Sequence, residues 1–400
     1  MGKKLLILTV LAVLSVLMLA ACGAADPPEE VPAATPEIVE TPAPTPTPTP
    51  EPELPVGMAV TVDGKPLESG SVVKDGTAYV KLDEFTAALG SESVTDGESA
   101  SFVWRRRDVG MDTGSAALSY GEKEAELAAA PTVYRGEIWI PVESACDALE
   151  ISTLYDEEYD RLYCTPGAGN WELKPGYRVP ICMYHAVCES LFEYMLYDMC
   201  LRPSEMDEQL SFLTENGYDT IFFDDLEHIE DYDKPVILTF DDGYDCLYDN
   251  LFPLLKKYNA KAVVYLITGN IDTGAYHSLS REQIVEMAES GLVSFQSHTV
   301  THTPLIELSK EAQAEEYYGS KLFITRLVGK EPFSIAYPEG KAYLGSTTAN
   351  AMEYYRFGVR MGTFPWYTDD DPSFMYRLNI KRDMPLFIYQ NVIDMVDPDR

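Results

Sequence analysis

Between residues 181 and 337 the chain carries short apolar runs at regular intervals: Ile181-Cys-Met-Tyr184, Thr220-Ile-Phe-Phe223, Val236 to Phe240, Ala262 to Ile267, Val293-Ser-Phe-Gln296 and Phe333 to Tyr337. Runs of this length without polar alternation predict strands buried on both faces. Helical segments lie between them. Ser280-Arg-Glu-Gln283 has the form of a capping box, and Gly291 stands where that helix should stop. A second helix is expected to begin at Ser309 and to end near Gly329. Repeated βα units predict a parallel sheet or an α/β barrel. In such barrels chemistry collects at the carboxyl ends of the strands.

Two polar segments sit at such ends. The run Val236-Ile-Leu-Thr-Phe-Asp-Asp-Gly-Tyr244 closes on adjacent carboxylates and a glycine. Ser297-His-Thr-Val-Thr-His302 places two imidazoles four residues apart. One carboxylate and two histidines supply three ligands for a divalent cation and leave the other carboxylate free beside it. Histidines at that spacing are expected on one face of a helical turn. The bland alternative is a polar strand end and a pair of loop-capping histidines. The two segments together make that alternative remote.

The whole chain narrows the setting. Four hundred residues suggest two or three domains. A formal charge of −35 argues against nucleic acid and against charge-driven docking on anionic lipid. It suits a neutral or cationic partner. Lys3 and Lys4 precede the apolar stretch Leu5 to Leu19, and Leu19-Ala-Ala-Cys22 follows, so residues 1–21 read as a secretory signal. The cysteine there resembles the bacterial lipobox. That resemblance implies cleavage before Cys22, a diacylglyceryl thioether on its sulfur, and attachment at the extracellular face of the membrane. An ordinary signal peptide with an incidental cysteine is the competing reading. Residues 22–55, with Thr41-Pro-Ala-Pro-Thr-Pro-Thr-Pro-Thr-Pro50, predict an extended, polyproline-like linker. Cys146, Cys164, Cys182, Cys188, Cys200 and Cys246 match no zinc spacing. Cys146–Cys164 and Cys188–Cys200 are local pairs that an exported protein could close, yet buried thiols fit equally, and none is assigned.

Residues 56–166 contain an internal repeat. Asp75-Gly-Thr-Ala-Tyr-Val-Lys-Leu-Asp-Glu-Phe-Thr-Ala-Ala-Leu89 aligns with Arg135-Gly-Glu-Ile-Trp-Ile-Pro-Val-Glu-Ser-Ala-Cys-Asp-Ala-Leu149. Each copy shows a turn glycine, a short strand and an amphipathic helix, and Val60-Thr-Val-Asp-Gly-Lys-Pro66 reads as a strand with a hairpin turn. A small α+β domain of two repeats is expected. It resembles the domain at the N-terminus of copper amine oxidases. No histidine precedes His185, so a copper site is not expected there. The domain is either a contact for cell-wall material or a folded spacer.

The segment from 178 to about 384 resembles the polysaccharide deacetylases of carbohydrate esterase family four, and within them the poly-N-acetylglucosamine deacetylase branch. Thr239-Phe-Asp-Asp-Gly-Tyr244 matches the first motif of that family and Ser297-His-Thr-Val-Thr-His302 the second. Ala336-Tyr-Pro-Glu-Gly340 matches the third approximately, and Met183-Tyr-His-Ala-Val187 matches the early segment of the permuted branch. The resemblance implies a distorted (β/α) barrel over residues 174–400. It implies Asp242, His298 and His302 as metal ligands. Asp241 would be the general base, His185 the general acid, and the backbone N–H of Tyr244 an oxyanion donor. Zinc is the first expectation because hydrolysis needs no redox chemistry; cobalt, nickel or iron suit the same ligands. The third motif lacks the arginine that orients the base in the family, and Arg377 is the expected substitute, against a plain surface arginine. Glu339 stands where the branch often has an aromatic. Tyr337 and Pro338 are expected in the pocket wall. Trp366 is either a sugar-stacking platform or a core residue, and His228 and His277 match no motif and are expected on the surface.

The expected activity is hydrolysis of the acetamide of N-acetylglucosamine units in a polysaccharide, releasing acetate. An O-acetyl glycan esterase and a non-catalytic glycan-binding lipoprotein are the rivals. The intact Asp-Asp, His-x-x-x-His and Tyr-His sets weigh against the last.

Overall fold

The structure is a computed structural model that describes residues 52–190, 197–273 and 277–395. The expected signal segment, Cys22 and most of the linker lie outside the described residues. Residues 51–400 form one compact unit.

Parallel strands close into a barrel: β1 (Ile181–Tyr184), β2 (Pro235–Phe240), β3 (Ala262–Leu266), β4 (Val293–Ser297), β5 (Ser334–Ala336), β6 (Phe357–Gly362) and β7 (Met375–Asn379). Around the barrel β1 neighbours β2, each later strand follows in order up to β6 against β7, and β7 returns to β1 with Cys182 opposite Leu378. In β1–β2 the register sets Ile181 opposite Ile237 and Tyr184 opposite Phe240. Asp219–Thr220 adds a short parallel strand at the start of β2. Most of the expected run 220–223 is not strand. Phe223 is followed by a 3₁₀ stretch from Asp224 to Asp231, and Asp225 in its first turn accepts from the Phe222 N–H at 2.7 Å.

Side-chain parity explains why these strands are apolar throughout. In β2, Val236, Leu238 and Phe240 pack outward against helices, while Ile237 joins the barrel interior. In β3, Ala262, Val264 and Leu266 face out, and Val263 and Tyr265 face in. Both faces are buried, so alternation of polarity is lost. Thr239 survives inside because its hydroxyl donates to the Cys182 carbonyl at 2.7 Å. Strands β6 and β7 were not among the apolar runs. Their sequences, Phe357-Gly-Val-Arg-Met-Gly362 and Met375-Tyr-Arg-Leu-Asn379, mix arginine and glycine with apolar residues.

The helix expected after Ser280 spans Arg281–Glu289 with its capping box made: Ser280 N–H donates to Gln283 Oε1 at 2.9 Å and Gln283 N–H to Ser280 Oγ at 3.3 Å. The helix after Ser309 spans Lys310–Val328 and ends on Gly329 at φ +73°.

The two repeat copies of the N-terminal part pair with each other. Strands Thr77–Lys81 and Glu137–Pro141 lie antiparallel at the centre of a four-stranded sheet, each followed by a seven-residue helix. Asp75-Gly76 and Arg135-Gly136 all take positive φ, the requirement of a tight two-residue hairpin turn. Between the copies runs a five-stranded antiparallel meander, residues 94–126, which the repeat did not announce.

This part packs on the barrel rim where the strands begin. Arg326 reaches Asp156 with two hydrogen bonds of 2.6 and 2.8 Å. Lys330 pairs with Asp63 at 2.9 Å, and Arg105 with Glu227 at 3.0 Å. Gly64 and Gly329 meet so closely that a Cβ on Gly329 would lie 2.9 Å from the Gly64 Cα.

Candidate active site

Inward parity continues past the strand ends and gathers polar side chains at the opposite rim. Ile237, Thr239 and Asp241 share one side of β2, as do Ile181, Met183 and His185 along β1. Gln296 and His298 follow the same rule on β4, and Met375 and Arg377 on β7. Of these, Met183, His185, Asp241, His298 and Arg377 line a cavity of about 630 Å³ together with Met199, Asp242, Tyr244, Ile267, Asn270, Thr301, His302, Tyr337, Glu339, Gly340 and Met361.

Asp242 escapes the outward parity of its position because its φ is +71°, which turns the chain immediately after the strand. Its carboxylate lies 3.5 Å from His298 Nε2 and 3.7 Å from His302 Nε2. One ligand atom from each of the three residues falls within 4.8 Å of the others. The His298 Nδ1–H donates to the Ala336 carbonyl at 2.7 Å, which fixes the tautomer and leaves the Nε2 lone pair toward Asp242. Burial pulls the His298 ring down to about 4, so it is neutral at neutral pH and able to ligate. Two imidazole nitrogens and a carboxylate oxygen so arranged fit a divalent cation with positions to spare.

The two histidines are not on a helix. They sit in the loop after β4, and Thr299 and His302 both take left-handed φ, +68° and +62°. A helical turn is replaced by main-chain bonds: His302 N–H donates to Thr299 Oγ1 at 3.1 Å, and Gly269 N–H donates to the Val300 carbonyl at 2.9 Å. The loop still brings the rings together, with centroids 4.7 Å apart.

Asp241 is buried, and Arg377 grips it from β7 with Nη1–Oδ1 at 2.6 Å and Nη2–Oδ2 at 2.7 Å. Burial alone would raise this carboxyl. The Arg377 charge, with smaller help from His298 and His185, overrides burial and holds it well below the usual carboxylate range. Arg377 is itself buried and not a surface group; Nη1 also donates to Thr239 Oγ1 at 3.1 Å. His185 lines the same cavity, half-buried, one residue past β1.

Tyr244 lies in a short antiparallel bridge with Ser278, made by the flanking amides: Asp245 N–H to His277 O at 2.6 Å and Leu279 N–H to Gly243 O at 3.0 Å. The bridge fixes the main chain that carries the Tyr244 amide. Burial, then the Asp242 charge and a hydrogen bond to Asp242, push the Tyr244 phenol up, so the hydroxyl stays protonated beside that carboxylate.

Of the other expected residues, Tyr337 and Glu339 stand in the cavity wall and the rest fall elsewhere. Trp366 is buried in the barrel interior among Val179, Phe357 and Met375, so it is a core residue and offers no face to a sugar. His228 is half-buried at the strand-start rim and His277 is exposed beside Asp245. Tyr337 is buried, donating to the Ser373 carbonyl at 2.8 Å, and Glu339, at φ +55°, pairs with Lys341. Cys188 and Cys200 form a disulfide with Cα atoms 6.2 Å apart, and Cys146 and Cys164 are buried thiols beside each other. Met199 and Met361 were not singled out in the sequence; for Met361 the available signal was an apolar residue at an inward position near the end of β6.

Comparison with known proteins agrees with this geometry. A family model described as polysaccharide deacetylase matches residues 228–357. The Bacillus subtilis protein named "Putative polysaccharide deacetylase YxkH" is 31% identical over 213 residues, covering 52% of this chain and 72% of that one. A poly-beta-1,6-N-acetyl-D-glucosamine N-deacetylase of Staphylococcus epidermidis is 32% identical over 118 residues, 27% of this chain and 41% of the relative. Among solved structures, the Streptococcus pyogenes deacetylase PplD in complex with acetate superposes with a TM-score of 0.51 at 29% identity, over 55% of this chain and 99% of that chain. With the barrel, the paired aspartates and the two-histidine loop already in place, the chain belongs to the polysaccharide deacetylase family, hydrolases that act on N-acetyl amide bonds.

Proposed function

We propose that this protein is a divalent-metal-dependent deacetylase of N-acetylglucosamine polysaccharide, working at the extracellular face of the membrane to which a lipid on Cys22 holds it. The observation that carries the reading is the meeting, in one cavity, of the Asp242, His298 and His302 donors with the Asp241–Arg377 pair and His185. The staphylococcal relative supports a poly-N-acetylglucosamine substrate for this chain.

The three ligands would hold the cation, with zinc preferred. When bound, it supplies Lewis acidity, favouring ionisation of the attacking water and polarising the acetamide carbonyl. Asp241, kept ionised and aimed by Arg377, takes the proton from that water as its oxygen adds to the carbonyl carbon. The Tyr244 amide donates to the oxygen on which negative charge develops. His185 then gives a proton to the glucosamine nitrogen as the carbon–nitrogen bond breaks. Acetate and a free amine result, and the water's atoms are divided between them. A buried Asp241 stripped of Arg377 would be a poorly oriented base, so the arginine belongs to the machinery through its partner.

Acetate release is the test. Purified protein, stripped with chelator and reloaded with zinc or cobalt, should release acetate from β-1,6-linked N-acetylglucosamine oligomers and lose that activity without metal. Release from acetylated xylan alone would make it an O-acetyl esterase. Binding to the oligomers without any release would make it a glycan-binding protein.

A further inference from the structure

The loop carrying His298 and His302 has no helical hydrogen bonds of its own, and two of its residues occupy left-handed φ. Such a conformation costs free energy and persists only where its surroundings impose it. The restraint comes from the helix Lys310–Val328, and chiefly from one side chain. Glu316 Oε2 accepts from the Val300 N–H at 2.7 Å and from the Thr301 N–H at 2.9 Å, and Oε1 accepts from the Thr301 hydroxyl at 2.6 Å. Three donors from two consecutive loop residues thus converge on one carboxylate. One helical turn further on, the helix lets the loop approach closely: a Cβ on Gly319 would lie 3.0 Å from the Val300 side chain. Beside it, Ser320 Oγ meets Ser297 Oγ at 2.8 Å, directly before His298.

We propose that Glu316 is a positioning residue for the metal site: its carboxylate sets the loop so that both histidines face Asp242. This rests on the reading of Asp242, His298 and His302 as ligands. Glu316 is not among the residues that line the cavity, and acts through the main chain between the two histidines. Bonds from N–H groups to a carboxylate are charge-assisted and directional. The Val300 and Thr301 amides point at Glu316, so the peptide planes between the ligands cannot rotate without breaking them. Reach is therefore the decisive property. An aspartate keeps the charge but ends one methylene short of the loop. A glutamine keeps the reach, and its amide oxygen can still accept from both N–H groups while the Thr301 hydroxyl turns toward Thr303, 2.8 Å away.

The experiment uses the full chain, stripped of metal and titrated with Zn²⁺ against a chromogenic chelator, with the visible absorption of the Co²⁺ form as a second readout. Glu316→Asp and Glu316→Ala should weaken Zn²⁺ binding by about 10–100-fold, the range for outer partners of metal ligands. Both should alter the Co²⁺ spectrum. Glu316→Gln should bind more tightly than either. Thermal unfolding of the metal-free variants separates a misplaced loop from a lost fold, and the aspartate and glutamine variants carry the test if the alanine variant does not fold. Wild-type affinity and spectrum in Glu316→Asp would overturn the proposal, as would a glutamine variant as weak as the alanine variant beside a tight aspartate variant. A wild-type protein whose Zn²⁺ binding is indifferent to His298→Ala would overturn the ligand reading itself, and this proposal with it.

Discussion

Asp241 and Asp242 are neighbours in the chain with opposite surroundings. Asp241 keeps the inward parity of β2 and ends in the grip of Arg377. Asp242 turns through a left-handed φ toward the histidines. Equal side chains are thereby given two different environments, which is what the proposed division into base and ligand requires. Asp241→Asn should lower kcat by about 10²–10⁴-fold, the usual worth of a positioned base, with metal content by atomic absorption unchanged. Full turnover in that variant would remove the base assignment. Arg377→Met leaves a buried carboxylate without its partner and should cost about 3–5 kcal/mol in urea unfolding, with a fall in kcat as well. The grouping of Asp242, His298 and His302 was legible because the Asp-Asp and His-x-x-x-His patterns are local. Arg377 was reachable only through the missing arginine of the third motif. Glu316 carried no signal: it binds a loop 15 and 16 residues earlier in the chain, and nothing in its own neighbourhood distinguishes it from a solvent-facing helix residue.

At the level of elements, capping was the most readable signal and loop conformation the least. Ser280, Ser309, Gly291 and Gly329 delimit helices as the local rules require. The His-x-x-x-His spacing suggested a helical turn, and tertiary bonds to Glu316 and Gly269 impose a loop instead. Strands β6 and β7 escaped the apolar runs because Gly358 and Arg360 interrupt β6 and because β7 turns Arg377 inward to the cavity. The helix Lys310–Val328 links both ends of the barrel: Glu316 near its start restrains the histidine loop, and Arg326 near its end pairs with Asp156. Gly329→Ala should destabilise by more than about 1 kcal/mol in chemical unfolding, since φ is +73° there and the new Cβ would press on Gly64. The Asp156 carboxyl is lowered by its hydrogen bond to Arg326. A depressed folded value stabilises the native state above about pH 4, and that contribution disappears as pH falls through the folded value. Arg326→Ala should therefore lower Tm at pH 7 and flatten its decline on acidification. An unchanged acid profile would mean that this pair does not couple the two parts.

Across the whole molecule, the cavity lies at one rim of the barrel and the repeat-containing part at the other. Among the described residues, that part supplies none of those that line the cavity. Its contacts with the barrel include the partly buried Arg105–Glu227 pair. If Cys22 bears the lipid, Cys22→Ser should move the protein from the membrane fraction to the soluble one, with acetate release per molecule unchanged. The barrel was visible in the rhythm of apolar runs, and the turn, strand and helix of each repeat in their shared pattern, while the pairing of the two copies emerges only in the structure. The meander between them was not, because its exposed face alternates serine, aspartate and glutamate with buried residues and resembles loop composition.

Met361, 46% exposed at the cavity mouth, has its thioether within 3.8 Å of the Asn379 side-chain amide. Met199 and Met183 line the same cavity more deeply. Thioethers are soft apolar surface until an oxidant reaches them, and a sulfoxide is polar, bulkier and chiral. Peroxide should act on the most accessible one first, so brief exposure is expected to erode substrate affinity before it disturbs the fold. A rising KM with unchanged far-ultraviolet circular dichroism, prevented by Met361→Leu and reversed by methionine sulfoxide reductase, would identify this methionine as the point where oxidative chemistry enters the cavity.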